Sequence, residues 1–178
     1  LKSAKTVRLQ PHLKELWRHS VQVAAIAYVI ARKFSRSNSD EAMLGGLLHD
    51  IGKLHILMQV ERYPELFDDA GALDTLMEQW HTGVGKAILD AWELPEQIGV
   101  AADEHESLDR DHDGAVDLAD IILVANLYAY RTDGSPKYCD IAWDSIPATG
   151  RLGLDQAASV AVLEESSEEI EAVMNALS

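Results

Sequence analysis

Apolar residues recur every three to four positions along almost the whole chain, and no run alternates apolar with polar residues long enough to make a strand. That period commits the chain to helices, whose apolar stripes can be satisfied only by burial against one another. Leu16, His19, Val23, Ile26 and Ile30 share one face of a helix predicted over 13–35. Asn38, with Glu41 three residues later, reads as a capping box for a second helix that runs through residue 51 and stops at Gly52. Further helices are expected over 54–62, ending before Pro64, and over 74–80 and 82–93, separated by a break at His81. Pro95 opens another, to about residue 106. An aspartate-rich loop (107–117) leads into an apolar helix over 118–130. Residues 132–150 carry Gly134, Pro136, Pro147 and Gly150 and read as an irregular connection, after which Asp155 caps a last amphipathic helix to about residue 177. The expectation is all-α: a single helical-bundle domain over residues 1–178, without repeat, low-complexity tract or linker.

Charge narrows the partners. Thirty Asp and Glu against fifteen Lys and Arg give a formal charge of -15, which opposes binding to nucleic acid or to an anionic membrane surface. No apolar run approaches the roughly 18 residues that span a bilayer. With a lone cysteine, Cys139, and no secretory signal, the expected location is the cytoplasm. The first residue is Leu rather than Met, which reads as a fragment of something longer.

The segment Gly45-Gly46-Leu47-Leu48-His49-Asp50-Ile51-Gly52-Lys53 carries the most chemistry. A His-Asp pair at a helix end can turn both side chains toward one ion, and imidazole with carboxylate suits Mn, Fe, Zn or Ni better than Ca or Mg. His19 lies on an inward helix face, His81 precedes Gly83 and Gly85, where missing side chains permit close backbone approach, and His105 sits between Glu104 and Glu106. Each alone has an ordinary reading as a hydrogen-bonded core or helix-end histidine. Four on four different helices, with Asp50, point to one convergent cluster. His12 and His112 are expected at the surface, and His55 is weighed as a less favoured lining residue.

In this order, His19, His49-Asp50, His81 and His105 resemble the HD superfamily of metal-dependent phosphohydrolases. The segments Leu16-Trp17-Arg18-His19-Ser20, Gly45 to Lys53, His81-Thr-Gly-Val-Gly85, Ala91-Trp92-Glu93-Leu94-Pro95, Leu123-Val124-Ala125-Asn126-Leu127 and Leu152-Gly153-Leu154 narrow the resemblance to the HD-related output domain, HDOD. It implies an HD-type bundle, a C-terminal piece of a longer signalling protein, and an upstream signalling domain such as a receiver, together with protein partners. It also implies a divalent metal on His19, His49, Asp50 and a fourth ligand. That fourth place falls on Asn126, where catalytic members carry Asp. His81 and His105 resemble the added ligands of two-metal phosphodiesterases, but Glu106 replaces the second of two consecutive histidines, and the Gly-Tyr-Pro signature is absent. One ion is easier to sustain than two, because Asp50 is the single obligate anion among the matched positions. Lys53 is the candidate catalytic residue, steadying a phosphate. The functional expectation is an output domain with a metal pocket and little or no turnover; the alternative is a phosphohydrolase or phosphodiesterase acting on a nucleotide-like phosphoester.

A second constellation is independent of that resemblance. Asp109, Asp111, Asp113 and Asp117, with Gly114 and Asp120, follow the spacing of a calcium EF-hand loop. The competing and favoured reading makes Asp117 the cap of the next helix, with Asp120 in its first turn.

Overall fold

In the computed structural model, which describes residues 4–60, 62–63, 66, 70–138, 140–154 and 156–177, all regular structure is helical. The order is α1 (Ala4–Phe34), α2 (Ser39–Leu48), α3 (Ile51–Val60), α4 (Ala70–Ala91), α5 (Glu96–Glu104), α6 (Leu118–Thr132), α7 (Pro147–Leu152) and α8 (Gln156–Leu177), with short 3₁₀ turns at Pro136–Tyr138 and Trp143–Ser145. No helix among the described residues is long and apolar enough to cross a membrane.

Helix α6 is the axis of the bundle. Every residue from Leu118 to Ala129 is buried, as expected of a helix apolar all round. Around it, α1 contributes Val23, Ile26, Ala27 and Ile30, α5 contributes Ile98, Ala101 and Ala102, and α7 contributes Ala148 and Leu152. A smaller apolar cluster joins Leu9 of α1 to Ile56, Leu57 and Val60 of α3 and Leu73 of α4.

Several boundaries depart from the sequence expectation for identifiable reasons. Helix α1 begins nine residues earlier than position 13 and carries Pro11 inside it. An interior proline forfeits a backbone hydrogen bond, so packing of Leu9 into the smaller cluster must hold these extra turns. Asn38 caps α2 as expected, accepting from the backbone N–H groups of Asp40 and Glu41. Gly52 does not end a helix: His49 and Asp50 form the turn, and Gly52 lies inside α3. A Cβ there would stand 1.9 Å from the His81 carbonyl oxygen, so Gly52 serves close approach of α3 to α4. Helix α4 passes through His81 without a break. Gly85 faces Gly52 across the contact, whereas Gly83 has open space around it. The connection after α6 holds the short helix α7, begun by Pro147 and closed by Gly153 at φ 66°. Cys139, Pro64 and the predicted cap Asp155 lie outside the described residues.

Candidate metal centre

Four parts of the chain deliver side chains to one point, the carboxylate of Asp50, a residue 2% exposed. His19 comes from α1, His49 and Asp50 from the turn between α2 and α3, His81 from α4 and His105 from the C-cap of α5. His49 Nε2 lies 3.4 Å from Asp50 Oδ2. His19 Nε2 lies 3.9 Å from the same oxygen. His105 Nε2 and His81 Nε2 stand 3.4 and 3.6 Å from Oδ1. The donors fall into two compact groups that share Asp50: His19 with His49, and His81 with His105. All four histidines are buried.

Hydrogen bonds fix which ring nitrogen faces inward. His49 Nδ1 donates to the Gly46 carbonyl at 2.7 Å, His81 Nδ1 to Met77 at 2.6 Å and His105 Nδ1 to Ala102 at 2.9 Å. A carbonyl only accepts, so these three Nδ1 atoms carry the proton, and wherever the ring is neutral its Nε2 presents a lone pair. Burial lowers the His19 pKa to about 3 and the His81 pKa to about 4, and lowers that of His105 as well, so the rings are neutral near pH 7. Burial raises the Asp50 pKa, but His49 and Lys53 overrule it and hold the carboxyl well below its ordinary range. Neutral imidazoles and an ionised carboxylate are the protonation states that ligate a metal.

Two atoms at this point, His49 Nε2 and Asp50 Oδ1, are buried without a hydrogen-bond partner. His81 Nε2 and His105 Nε2 face each other at 3.4 Å, lone pair toward lone pair. Such an arrangement is costly unless a cation lies among the donors. The residues therefore fit a divalent transition metal.

Asn126 is buried on α6, its Oδ1 3.0 Å from His19 Nε2. Lys53 places Nζ 2.8 Å from Asp50 Oδ2. Burial lowers its pKa, but Asp50 outweighs this and raises it overall. Its charge is thus engaged by Asp50 before any phosphate arrives.

Further side chains border the cluster, and of these Glu106 alone stands out in the sequence. Glu106 Oε1 lies 3.6 Å from His81 Nε2 and 3.8 Å from His105 Nε2, and it accepts from Lys137 Nζ at 2.6 Å. Tyr130 packs against His19 with ring centroids 4.7 Å apart and the planes tilted by 39°. A cleft of about 550 Å³ opens over Asp50, lined by His12, Arg18, His19, Lys53, Tyr130 and other side chains. His12, expected at the surface, is half-buried in this wall because α1 continues N-terminally past it. His55 is exposed and lines a different, apolar cleft beside Ile56 and Leu76. Position 106 was visible one residue beyond His105; nothing in the sequence spacing points to Tyr130 or Lys137.

The acidic loop has the geometry of a helix cap. Asp117 accepts from Asp120 N–H, and the Asp120 carboxylate accepts from Asp117 N–H. Asp120 is fully buried and bonded by Arg110, Arg151 and His112, at 2.9, 2.8 and 3.1 Å. Arg151 also holds Asp111 at 2.8 Å. The carboxylate at the closing position of the EF-hand pattern is therefore committed to two guanidinium groups, and His112, expected at the surface, is drawn in beside it.

Comparison with known proteins places this geometry. The fold is similar to a protein from Shewanella amazonensis SB2B described as a candidate metal-dependent phosphohydrolase, with a TM-score of 0.74 and 24% identity, covering 92% of this chain and 60% of that one. It is also similar to an HDOD domain protein of unknown function from Geobacter sulfurreducens, with a TM-score of 0.68 and 24% identity, covering 92% of this chain and 62% of that one. The chain thus spans about 60% of the length of the solved structures it matches, and likeness at this identity shows a shared fold. No curated protein matches by sequence. The HDOD domain model matches residues 1–108, a stretch that contains His19, His49, Asp50, His81 and His105 and ends before Asn126. This chain belongs to the HDOD domain family.

Proposed function

We propose that the chain is a signal-transduction output domain that holds a divalent transition-metal ion in its His/Asp pocket and turns over phosphoesters little or not at all. One observation carries the metal part: His49, His81 and His105 each donate Nδ1–H to a carbonyl of the preceding helical turn, so each Nε2 lone pair is aimed toward a single ionised carboxylate. The residues that would hold the ion come from the set around Asp50, namely His19, His49, His81 and His105, with Asn126 beside them. A bound ion of this kind supplies Lewis acidity and an acidified water.

The side chains around the pocket favour holding over turnover. Asn126 brings an amide where a catalytic carboxylate would add charge, and its Oδ1 is bonded to His19. Lys53, the candidate for steadying a phosphate, is paired with Asp50. An output role rests on family membership, with an upstream signalling domain such as a receiver and protein partners in the cytoplasm. Exposed Trp17, Trp80 and Trp92, each more than half accessible, offer the aromatic contacts on which protein interfaces draw.

The second reading, a phosphohydrolase acting on a nucleotide-like phosphoester, is favoured by the cleft over Asp50 and the Arg18 and Lys53 side chains in its wall. A panel of phosphoesters assayed with Mn, Fe, Zn or Ni separates the two. The expected result is hydrolysis no faster than that of Asp50→Ala. Metal-dependent hydrolysis by the native chain that His49→Ala removes would establish the enzyme reading instead.

A further inference from the structure

The connection that leaves α6 borders the histidine cluster over its first residues, Asp133 to Tyr138. Gly134 takes the left-handed conformation, φ 65°, and turns the chain at the end of the helix. Ser135 stands in the wall of the cleft over Asp50. In the 3₁₀ turn that follows, Lys137 Nζ donates to Glu106 Oε1 at 2.6 Å. The same oxygen lies 3.6 Å from His81 Nε2 and 3.8 Å from His105 Nε2, and neither of those rings has any exposed surface. Lys137 and Glu106 together therefore close the end of the cluster where His81 and His105 meet.

Side chains, more than backbone, hold this strap down. At its root Arg18 of α1 donates twice to the Asp133 carboxylate, at 2.9 and 2.8 Å. At its far end the Lys137 ammonium sits over two rings, 5.2 Å from the Tyr130 centroid and 5.3 Å from that of Tyr138. Tyr138 meets Tyr130 edge to face, and Tyr130 packs in turn against His19. Ser135 N–H donates to the Tyr130 carbonyl, but among the described residues no backbone hydrogen bond ties 136–138 to another helix. Both ion pairs are reached by solvent, with Lys137 and Glu106 28% and 20% exposed. Pairs of that kind shift an equilibrium by about fivefold at most, weak enough to hold a segment shut and still release it.

We propose that residues 133–138 are a gate over the pocket, latched by Lys137 on Glu106 and steadied by Arg18 on Asp133, and that its release admits solvent and solutes to His81 and His105. The gate controls access whatever the pocket holds, so it does not depend on the metal reading.

Diethyl pyrocarbonate, which acylates neutral imidazole nitrogen, tests this on the full metal-free chain, with each histidine followed by peptide mass spectrometry. His55, exposed on α3, is the internal standard. Labelling of His81 and His105 in the native chain should quicken by at least about threefold when salt is raised from about 0.05 to about 0.5 M, because screening weakens a solvent-reached pair. Screening has the opposite effect on global unfolding, since it relieves the self-repulsion of a chain of charge -15. Lys137→Met should label at the faster rate at low salt and lose most of the salt response, whereas Lys137→Arg, which can still pair with Glu106, should stay close to native. The salt response of the native chain is read without any variant. His81 and His105 rates that stay flat or fall with salt, or that are the same in Lys137→Met as in the native chain, would overturn the gate and leave the metal pocket untouched.

Discussion

Asp50 is the residue on which the site depends, because it is the one fully buried anion facing four imidazoles and an ammonium. Its neighbours divide it: Lys53 takes Oδ2, and Oδ1 remains without a bonded partner. Replacing Lys53 by Met should therefore raise affinity for manganese or zinc, by about tenfold or roughly 1.4 kcal/mol, since a competing charge leaves the carboxylate. Calorimetric titration of the variant against the native chain measures this, and unchanged or weaker binding would show that Lys53 does not compete. At this scale much was legible in advance. His19, His49, Asp50, His81 and His105 announce themselves as chemically costly residues on helical faces, and the structure gathers them round one carboxylate. What spacing cannot show is which ring nitrogen faces inward. That depends on carbonyls of Gly46, Met77 and Ala102, backbone atoms whose direction exists only once each helix has formed. The pairing of Lys53 with Asp50, one helical turn apart, is likewise a competition between a phosphate and a carboxylate that residue identity leaves open.

Helix α3 and helix α4 must approach closely for His81 to reach Asp50, and glycine makes that possible. Gly52→Ala would drive a Cβ into the His81 carbonyl oxygen, 1.9 Å away, and both clashing partners are on backbone that cannot rotate aside. The expected cost is about 2–3 kcal/mol, with metal affinity lost as α4 is displaced. Gly83→Ala on the same helix meets nothing within 4 Å and should stabilise by about 0.5–1 kcal/mol through helix propensity. Urea unfolding of the two variants checks both signs, and equal effects would contradict the close-approach account. Sequence reading located most elements here and misjudged their punctuation. Gly52 reads as a stop because glycine usually ends a helix, and His81 reads as a break between two helices, yet α3 and α4 run straight through them. The reason lies in the neighbouring helix, which a local pattern does not contain. The cap at Asn38 was legible because it is local, and Asp117 caps α6 for the same reason. The salt links from Arg110 and Arg151 that occupy Asp120 were not, since Arg151 lies 31 residues further along the chain.

The molecule as a whole is an apolar bundle around α6 with buried polar side chains gathered among its helices, and that combination makes its stability depend on pH. Helical period and the absence of alternating runs were enough to place it as all-α, since both are properties of the entire chain. In the unfolded chain a histidine titrates near 6.5, whereas burial holds His19 near 3 and His81 near 4 in the folded state. Below about pH 6.5 the unfolded state binds more protons, so stability falls as pH drops from 7 toward 4, by roughly 1.4 kcal/mol per pH unit for each such histidine. Asp50, with its lowered pKa, withdraws its own contribution only below its ordinary carboxyl range. Chemical denaturation of the chelator-treated protein between pH 7 and pH 4.5 should show this decline, and a flat profile would contradict burial of neutral imidazoles. The central claim, that these helices exist in this arrangement around a divalent ion, is tested most directly by measuring metal stoichiometry. Elemental analysis and calorimetric titration of the apo chain with manganese, iron, zinc and nickel should give one ion per chain for at least one metal, abolished in a folded Asp50→Ala variant. No tight binding by any of the four, or binding that survives Asp50→Ala undiminished, would contradict it.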